Sequence, residues 1–363
     1  MPIAPPPPPS PAGDVADVAI VRRLDQEPRT FERVWEPYLA RSGDNVLVAY
    51  GRKLKEKSDM GDILCSHSAD HGATWSEPVT VFDSGVAVGG RRYAYANAIL
   101  YHPPGHQAVW CFGMRCPLYY RDSEDAKLCA AYSVDDGRSW QPVELAMDFH
   151  SAMIVVAGIQ EVQKNGRPVY LLPAHRNTQR WDPLGDCQQF VLESADLLEW
   201  HLAGYVPRPP RVFLHEGGIA PGMIPGELEM VMRTSQINSR LALNPPTAYS
   251  SVSQDGGHTW SAARAEPQLF NSVSKGYYGS FSGGRHIYVY SDGPAWERKG
   301  LSYVVQSATG QWSAPRVFFD ADTHNSYPTL EEETPGVFLC TWDSATDPIA
   351  HRTAIRFGRL TIK

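Results

Sequence analysis

Glu36, Asp59 and Glu216 are carboxylates set among Trp, Pro or Gly rather than inside apolar runs. Tyr327 stands in Asn325-Ser326-Tyr327-Pro328, directly after His324. Arg52, Arg233 and Arg298 are arginines near the ends of β-rich runs. A carboxylate beside a hydroxyl can take its proton as the oxygen attacks, and a carboxylic acid can protonate a leaving oxygen. Arginine clamps a carboxylate through two parallel hydrogen bonds. Histidine moves protons near neutral pH, and His150 and His175 also fall near expected strand ends. Arg91-Arg92-Tyr93 is a further possible anion contact. The six cysteines make no CxxC pair and no Cys/His spacing suited to zinc, so buried free thiols, no metal and no cofactor are expected.

The elements that must position these groups read as strands. The chain has 363 residues with 42% hydrophobic and 20% charged side chains, a composition that excludes a mainly disordered protein. Thirty Gly, thirty Pro, ten Trp, seventeen Tyr and twelve Phe favour many turns and many strands. No apolar run approaches the roughly 20 residues of a membrane helix. The net charge of −7 makes a nucleic-acid backbone a poor partner. Residues 1–15 begin MPIAPPPPPSPAG, which reads as a disordered, Pro-rich tail of extended polyproline character. It lacks the basic start and apolar core of a secretory signal, so a cytoplasmic location is expected, or secretion if a leader has been trimmed.

An internal repeat organises the rest. Ser68-Ala-Asp70-His-Gly72-Ala-Thr74-Trp75 recurs as Ser133-Val-Asp135-Asp-Gly137-Arg-Ser139-Trp140 and Ser253-Gln-Asp255-Gly-Gly257-His-Thr259-Trp260. Weaker copies end at Trp200 and Trp312, and the tryptophans are 65, 60, 60 and 52 residues apart. Asp and Ser/Thr can bond the backbone of their own turn, Gly takes a positive φ, and Trp packs between sheets. These aspartates are therefore read as structural, not as catalytic groups or calcium ligands. A repeat of about 60 residues, with short strands and no helical period, predicts an all-β, six-bladed β-propeller over residues 16–363 as one domain.

At this point the chain resembles the sialidase (neuraminidase) superfamily, propellers that carry such turns as BNR repeats or Asp-boxes. The resemblance covers about residues 30–363. Val34-Trp35-Glu36-Pro37-Tyr38 followed by Gly51-Arg52 and Ser58-Asp59-Met60-Gly61-Asp62 is similar to the family's first blade. The resemblance implies an acid/base role for Asp59, with Asp62 as the alternate. His215-Glu216-Gly217-Gly218 followed by Arg233 resembles the family's Glu-then-Arg pair, with Glu216 as the carboxylate that activates a nucleophile. Arg298 matches a further arginine, and Tyr327 matches the tyrosine nucleophile. Where the family has its first carboxylate-binding arginine, this chain has Trp35 or Glu36. Arg52 and His324 are expected near the same substrate.

The resemblance implies a sialidase-like exo-glycosidase acting on a terminal acidic sugar. A neutral tyrosine suits a substrate that carries its own carboxylate, because an attacking carboxylate would be repelled. The missing arginine predicts weak turnover of common N-acetylneuraminic acid conjugates. Glu36 within Trp35-Glu36-Pro37 keeps open an arabinanase-like hydrolase, and His324 with Tyr327 keeps open a polysaccharide lyase. A non-catalytic glycan-binding propeller is the third class, since fold does not fix function.

Overall fold

The run Asn45-Val-Leu-Val-Ala-Tyr50 buries nearly every side chain, and alternate residues face different neighbours. A strand buried on both faces reads as a continuous apolar run rather than an alternating one. The computed structural model describes residues 13–55, 60–118, 127–149, 157–177, 187–210, 212–234, 247–271, 274–293, 298–345 and 354–362. Among these there is no α-helix, only a short 3-10 turn at Leu24–Gln26.

The strands form antiparallel meanders in chain order. The first comprises Phe31–Ser42, Asn45–Leu54, Gly61–Ser68 and Val79–Phe82. The second comprises Arg91–Tyr101, Val109–Pro117, Lys127–Ser133 and Gln141–Val143, and the single pair Gly61–Tyr95 links it to the first. The third runs through Gln160–Lys164, Arg167–Asn177, Cys187–Ser194 and Glu199–Tyr205. The fourth runs through Leu214–Pro221, Leu228–Thr234, Thr247–Ser253 and Arg264–Phe270. The fifth is Tyr277–Phe281, Arg285–Ser291, Leu301–Val305 and Arg316–Phe319. In the sixth, His324–Thr334, Val337–Ala345 and Ala354–Thr361 are completed by Val15–Arg23 from the other end of the chain. Val15 pairs with Leu360, and Asp14 bonds Tyr303 and Arg316, so the last residues of the expected tail are held in place.

Each meander shares a core with the next. Leu47, Ile63 and Cys65 of the first pack with Leu100 and Cys111 of the second. Phe112 of the second packs with Phe190 and Trp200 of the third, and Leu171 and Val191 of the third with Met230 of the fourth. Val231 joins Tyr288 and Tyr290, and Ile287 and Tyr303 join Phe338 and Trp342. Val46, Val48 and Tyr50 of the first meander pack with Leu339 and Phe357 of the sixth. Each fully buried Leu, Val or Phe contributes roughly 1.5–3 kcal/mol.

The repeated turn has one hydrogen-bond plan. Gly72 N–H donates to Ser68 Oγ at 2.8 Å, Thr74 N–H to Asp70 Oδ1 at 2.8 Å, and Trp75 Nε1–H to Gly72 O at 3.1 Å. The same bonds recur around Ser133, Asp135 and Trp140, and around Ser253, Asp255 and Trp260. In the Trp200 copy, Leu197 takes the glycine's left-handed place at φ 68°, and Trp200 Nε1–H donates to its carbonyl. Hydrogen bonds from Thr74 hold the Asp70 carboxyl down to about 2. Its oxygens serve the turn. Cys65, Cys111, Cys116, Cys129 and Cys340 are free and buried.

Candidate active site

The first strand of a meander interrupts its ladder at four related places. Register shifts fall at Trp35/Tyr38, Ala96/Ile99, His215/Gly218 and Ser326/Thr329. Within them Glu36, Asn97, Glu216 and Tyr327 have φ of 46°, 59°, 50° and 53°. A bulge re-aims a side chain out of the sheet's alternation. Left-handed backbone in a residue other than glycine costs of order 1–3 kcal/mol and persists only where its surroundings enforce it. Pro37 and Pro328 follow two of these residues, and proline in a sheet suits a bulge because it cannot donate to the ladder. These first strands also meet one another: Phe31–Ser42 touches His324–Thr334, which touches Tyr277–Phe281, which touches Leu214–Pro221.

Glu216 accepts a hydrogen bond from Arg233 Nη1 at 2.5 Å, and both side chains are largely buried. Its backbone N–H donates to His175 Nδ1 at 3.4 Å, and His175 packs edge-on against His215 at 5.0 Å. Gly217 N–H is fixed by Gln189. Burial pushes the Glu216 carboxyl up, but Arg233 above all, with Lys275, brings it below its ordinary value. It is therefore an ionised carboxylate able to accept a proton.

Tyr327 is 5% exposed. Its ring meets Trp35 edge-on at 6.3 Å, and the Arg298 guanidinium lies 5.0 Å from its centre. Lys275 Nζ lies 5.9 Å from the same ring and 5.6 Å from that of Tyr38. Arg233 is largely buried, and Glu216, Tyr327 and Glu36 all favour its charged form.

Glu36 completes the cluster. Asn97 Nδ2 donates to its Oε2 at 2.6 Å, and its own N–H donates to Asp343 Oδ2 at 3.0 Å. Asp343 also accepts Ser326 Oγ–H, and His324 Nε2 lies 3.2 Å from that hydroxyl. Lys275 is 5% exposed, with Glu36, Glu216 and Asp343 as the carboxylates that favour its charge. A cavity of about 150 Å³ adjoins it, lined by Tyr38, Gln160, Lys275, Tyr277, Tyr278 and Thr329.

The structure thus brings Trp35, Glu36, Glu216, Arg233, Arg298 and Tyr327 together, and His324 joins them through Ser326 and Asp343. Arg52, expected as a substrate contact, is engaged by other groups. Its guanidinium bonds Glu27 Oε2 at 2.7 Å and Asp62 Oδ2 at 2.6 Å, and lies over the Phe31 ring at 4.0 Å. Asp62 is spent on Arg52 and on Ser84 N–H and Oγ–H, so it is a structural acid. Asp59 and His150 lie outside the described residues. Among the described residues no His/Cys/Asp/Glu cluster is suited to a metal, and no helix is long and apolar enough to cross a membrane.

Sequence reading missed Lys275, Asn97 and Asp343. Asn97 carried a usable signal, a lone amide inside Ala94-Tyr-Ala-Asn97-Ala-Ile-Leu100. Lys275 lies just before a first strand, as Glu216 lies at the start of another, and that shared position was its only mark.

No family model matches the chain, and no curated protein matches it in sequence. Solved structures do match. A protein of unknown function from Dyadobacter fermentans is 15% identical with a TM-score of 0.72, covering 98% of this chain and 100% of its own. The Hadza microbial sialidase Hz136 is 14% identical with a TM-score of 0.74, covering 95% of this chain and 68% of its own. The NanB sialidase of Streptococcus pneumoniae is 11% identical with a TM-score of 0.70, covering 95% of this chain and 70% of its own. The fold is sialidase-like, all-β and built of antiparallel sheets.

Proposed function

We propose that the chain is a sialidase-like exo-glycosidase that removes a terminal acidic sugar. The proposal takes the six meanders as blades of one propeller over residues 16–363, with the repeated turns as Asp-boxes. The cores shared from each meander to the next, and from the sixth back to the first, support that arrangement.

Glu216 and Tyr327 carry the reading: both sit on left-handed bulges, and both act on the one buried Arg233. In the proposed reaction Tyr327 Oη attacks the anomeric carbon and Glu216 takes the phenol proton. The bond to the leaving oxygen breaks as an acid, assigned to Asp59, protonates it. Water then displaces Tyr327 from the glycosyl intermediate, and the tyrosine recovers its proton. Arg233 and Arg298 are the proposed carboxylate contacts, and Trp35 holds the phenol ring edge-on. The test is a panel of fluorogenic glycosides of N-acetylneuraminic acid, of uronic acids and of neutral hexoses. Turnover of a carboxylated glycoside that is lost in Tyr327→Phe supports the reading, and turnover of neutral glycosides alone overturns it.

Glu36 favours a second reading. It is a buried carboxylate on its own left-handed bulge, held by Asn97. Two carboxylates facing one site are the ordinary equipment of a glycosidase. An arabinanase-like hydrolase would use Glu36 with Glu216, and would survive Tyr327→Phe but not Glu36→Gln.

A further inference from the structure

A lysine is seldom as buried as Lys275 unless it is paired. Its surroundings come from several meanders: Glu36 and Tyr38 from the first, Glu216 from the fourth, and Asp343 and Tyr327 from the sixth. It also borders a cavity lined by Tyr38, Tyr277, Tyr278 and Thr329, on a side away from the carboxylates. Together with Arg233 and Arg298 it makes three cations, set among three carboxylates: Glu36, Glu216 and Asp343.

These carboxylates are not equivalent. Asp343 receives the Glu36 N–H and the Ser326 hydroxyl, which makes it a brace for the two bulges. Glu216 receives Arg233. Glu36 receives Asn97 on Oε2, beside the ammonium. Around the Tyr327 ring stand Arg298 and Lys275, both cations, with Glu36 as the adjoining acceptor.

We propose that Lys275 and Glu36 form one substrate-recognition pair: the ammonium takes a carboxylate of the sugar beside Arg233 and Arg298, and Glu36 accepts a hydroxyl or amide N–H of the same sugar. This rests on the acidic-sugar reading and narrows it to a carboxylated sugar with a hydrogen-bond donor next to the acid. Lysine offers a compact charge rather than a planar fork, so it can serve Glu36 and a substrate oxygen together. Burial lowers the lysine's pKa against the pull of Glu36, Glu216 and Asp343. An arriving carboxylate favours its charged form, so acid binding should weaken at alkaline pH.

The test is calorimetric binding of N-acetylneuraminic acid and glucuronic acid, each beside its methyl ester, to wild type, Lys275→Met, Lys275→Arg and Glu36→Gln. Melting temperatures are recorded for each protein, and kcat/KM is measured on the fluorogenic panel. Lys275→Met should lose at least about tenfold in affinity for the acid while ester binding stays unchanged. Lys275→Arg should keep most of the preference and move the alkaline limb upward. Glu36→Gln should weaken acid and ester alike. If Lys275→Met keeps the wild-type preference for acid over ester, or wild type binds neither acid, the proposal is overturned. Should Lys275→Met fail to fold, Lys275→Arg with an unmoved alkaline limb overturns it equally. Wild type that turns over no carboxylated glycoside refutes the hydrolase reading alone, and the acid-to-ester ratio still decides Lys275.

Discussion

Glu216 and Tyr327 occupy matching places in different sheets: each is the left-handed residue of a bulge in its meander's first strand, at φ 50° and 53°. Regular strand backbone would send each side chain along the sheet's own alternation. The bulge frees one residue per strand from it. The backbone strain is supported on both sides, by His175 and Gln189 beneath Glu216 and by Asp343 beside Tyr327 through Ser326.

Tyr327→Phe is therefore expected to lower kcat by at least about a thousandfold while moving the melting temperature by little, because only the hydroxyl is removed. Glu216→Gln should cost about 10²–10⁴-fold as loss of the base. Glu216→Ala should add a stability loss of about 3–5 kcal/mol, because it leaves Arg233 buried without its carboxylate. Rates and urea melts on the same three variants separate these effects. A Tyr327→Phe enzyme with a wild-type rate would remove the nucleophile assignment.

Much of this was legible before any coordinates. The Ser-x-Asp-x-Gly-x-Thr-Trp turns are local, every bond lies within five residues, and sequence spacing is therefore enough to read them. Glu216, Arg233 and Tyr327 each stand in a distinctive strand-end segment, which singled them out, and the structure sets them near one another. The Arg52 partners were not legible, because Glu27 reaches it from the preceding turn and Asp62 from the neighbouring strand. Lys275 was invisible for the converse reason: its meaning comes from Glu36, Glu216 and Asp343, which chain order scatters from 36 to 343. Long-range charge pairing leaves no periodic trace.

Arg52→Met should destabilise without touching chemistry. Glu27 and Asp62 are almost wholly buried; Asp62 would lose its cation, and Glu27 would lose one of two, keeping Arg22. The expected cost is about 3–5 kcal/mol, read from urea unfolding. Activity per folded molecule should stay within about twofold of wild type. A raised KM for an acidic glycoside with intact stability would restore Arg52 as a substrate contact.

Two glycines separate backbone strain from crowding. Gly72 has φ 90° and Gly310 φ 81°, so alanine is strained at both. A methyl at Gly72 would come within 2.0 Å of the Phe357 ring, whereas nothing stands within 4 Å of one at Gly310. Gly310→Ala should cost about 1–2 kcal/mol, and Gly72→Ala at least about 1–3 kcal/mol more, as overpacking. Similar melting temperatures for the two variants would mean that the Trp75 turn relaxes freely away from Phe357.

His175 gives the protein an acid-sensitive contact beneath Glu216. Its Nδ1 accepts the Glu216 N–H, which requires an unprotonated nitrogen there. Burial drives its pKa down to about 4, and the nearby Arg233 works in the same direction against Glu216. In the unfolded chain the value returns to about 6.5. Between those two values the unfolded state holds the extra proton, so stability rises with pH there and is lost as pH falls from about 6.5 to about 4. The full window corresponds to roughly 3 kcal/mol. His215 packs against it and is also held well below its ordinary value, so it bends the curve in the same direction. His175→Gln keeps a side-chain acceptor and cannot titrate. Its stability relative to wild type should improve progressively between pH 7 and pH 4.5, while His215 and Glu331, the latter pushed up to about 7 by burial, titrate in both proteins alike. Urea melts of both proteins at pH 4.5, 5.5 and 7 measure this directly. A wild-type-to-variant difference that is constant across the three would show that His175 does not gain a proton on unfolding, and the acid-sensitive contact would have to be abandoned.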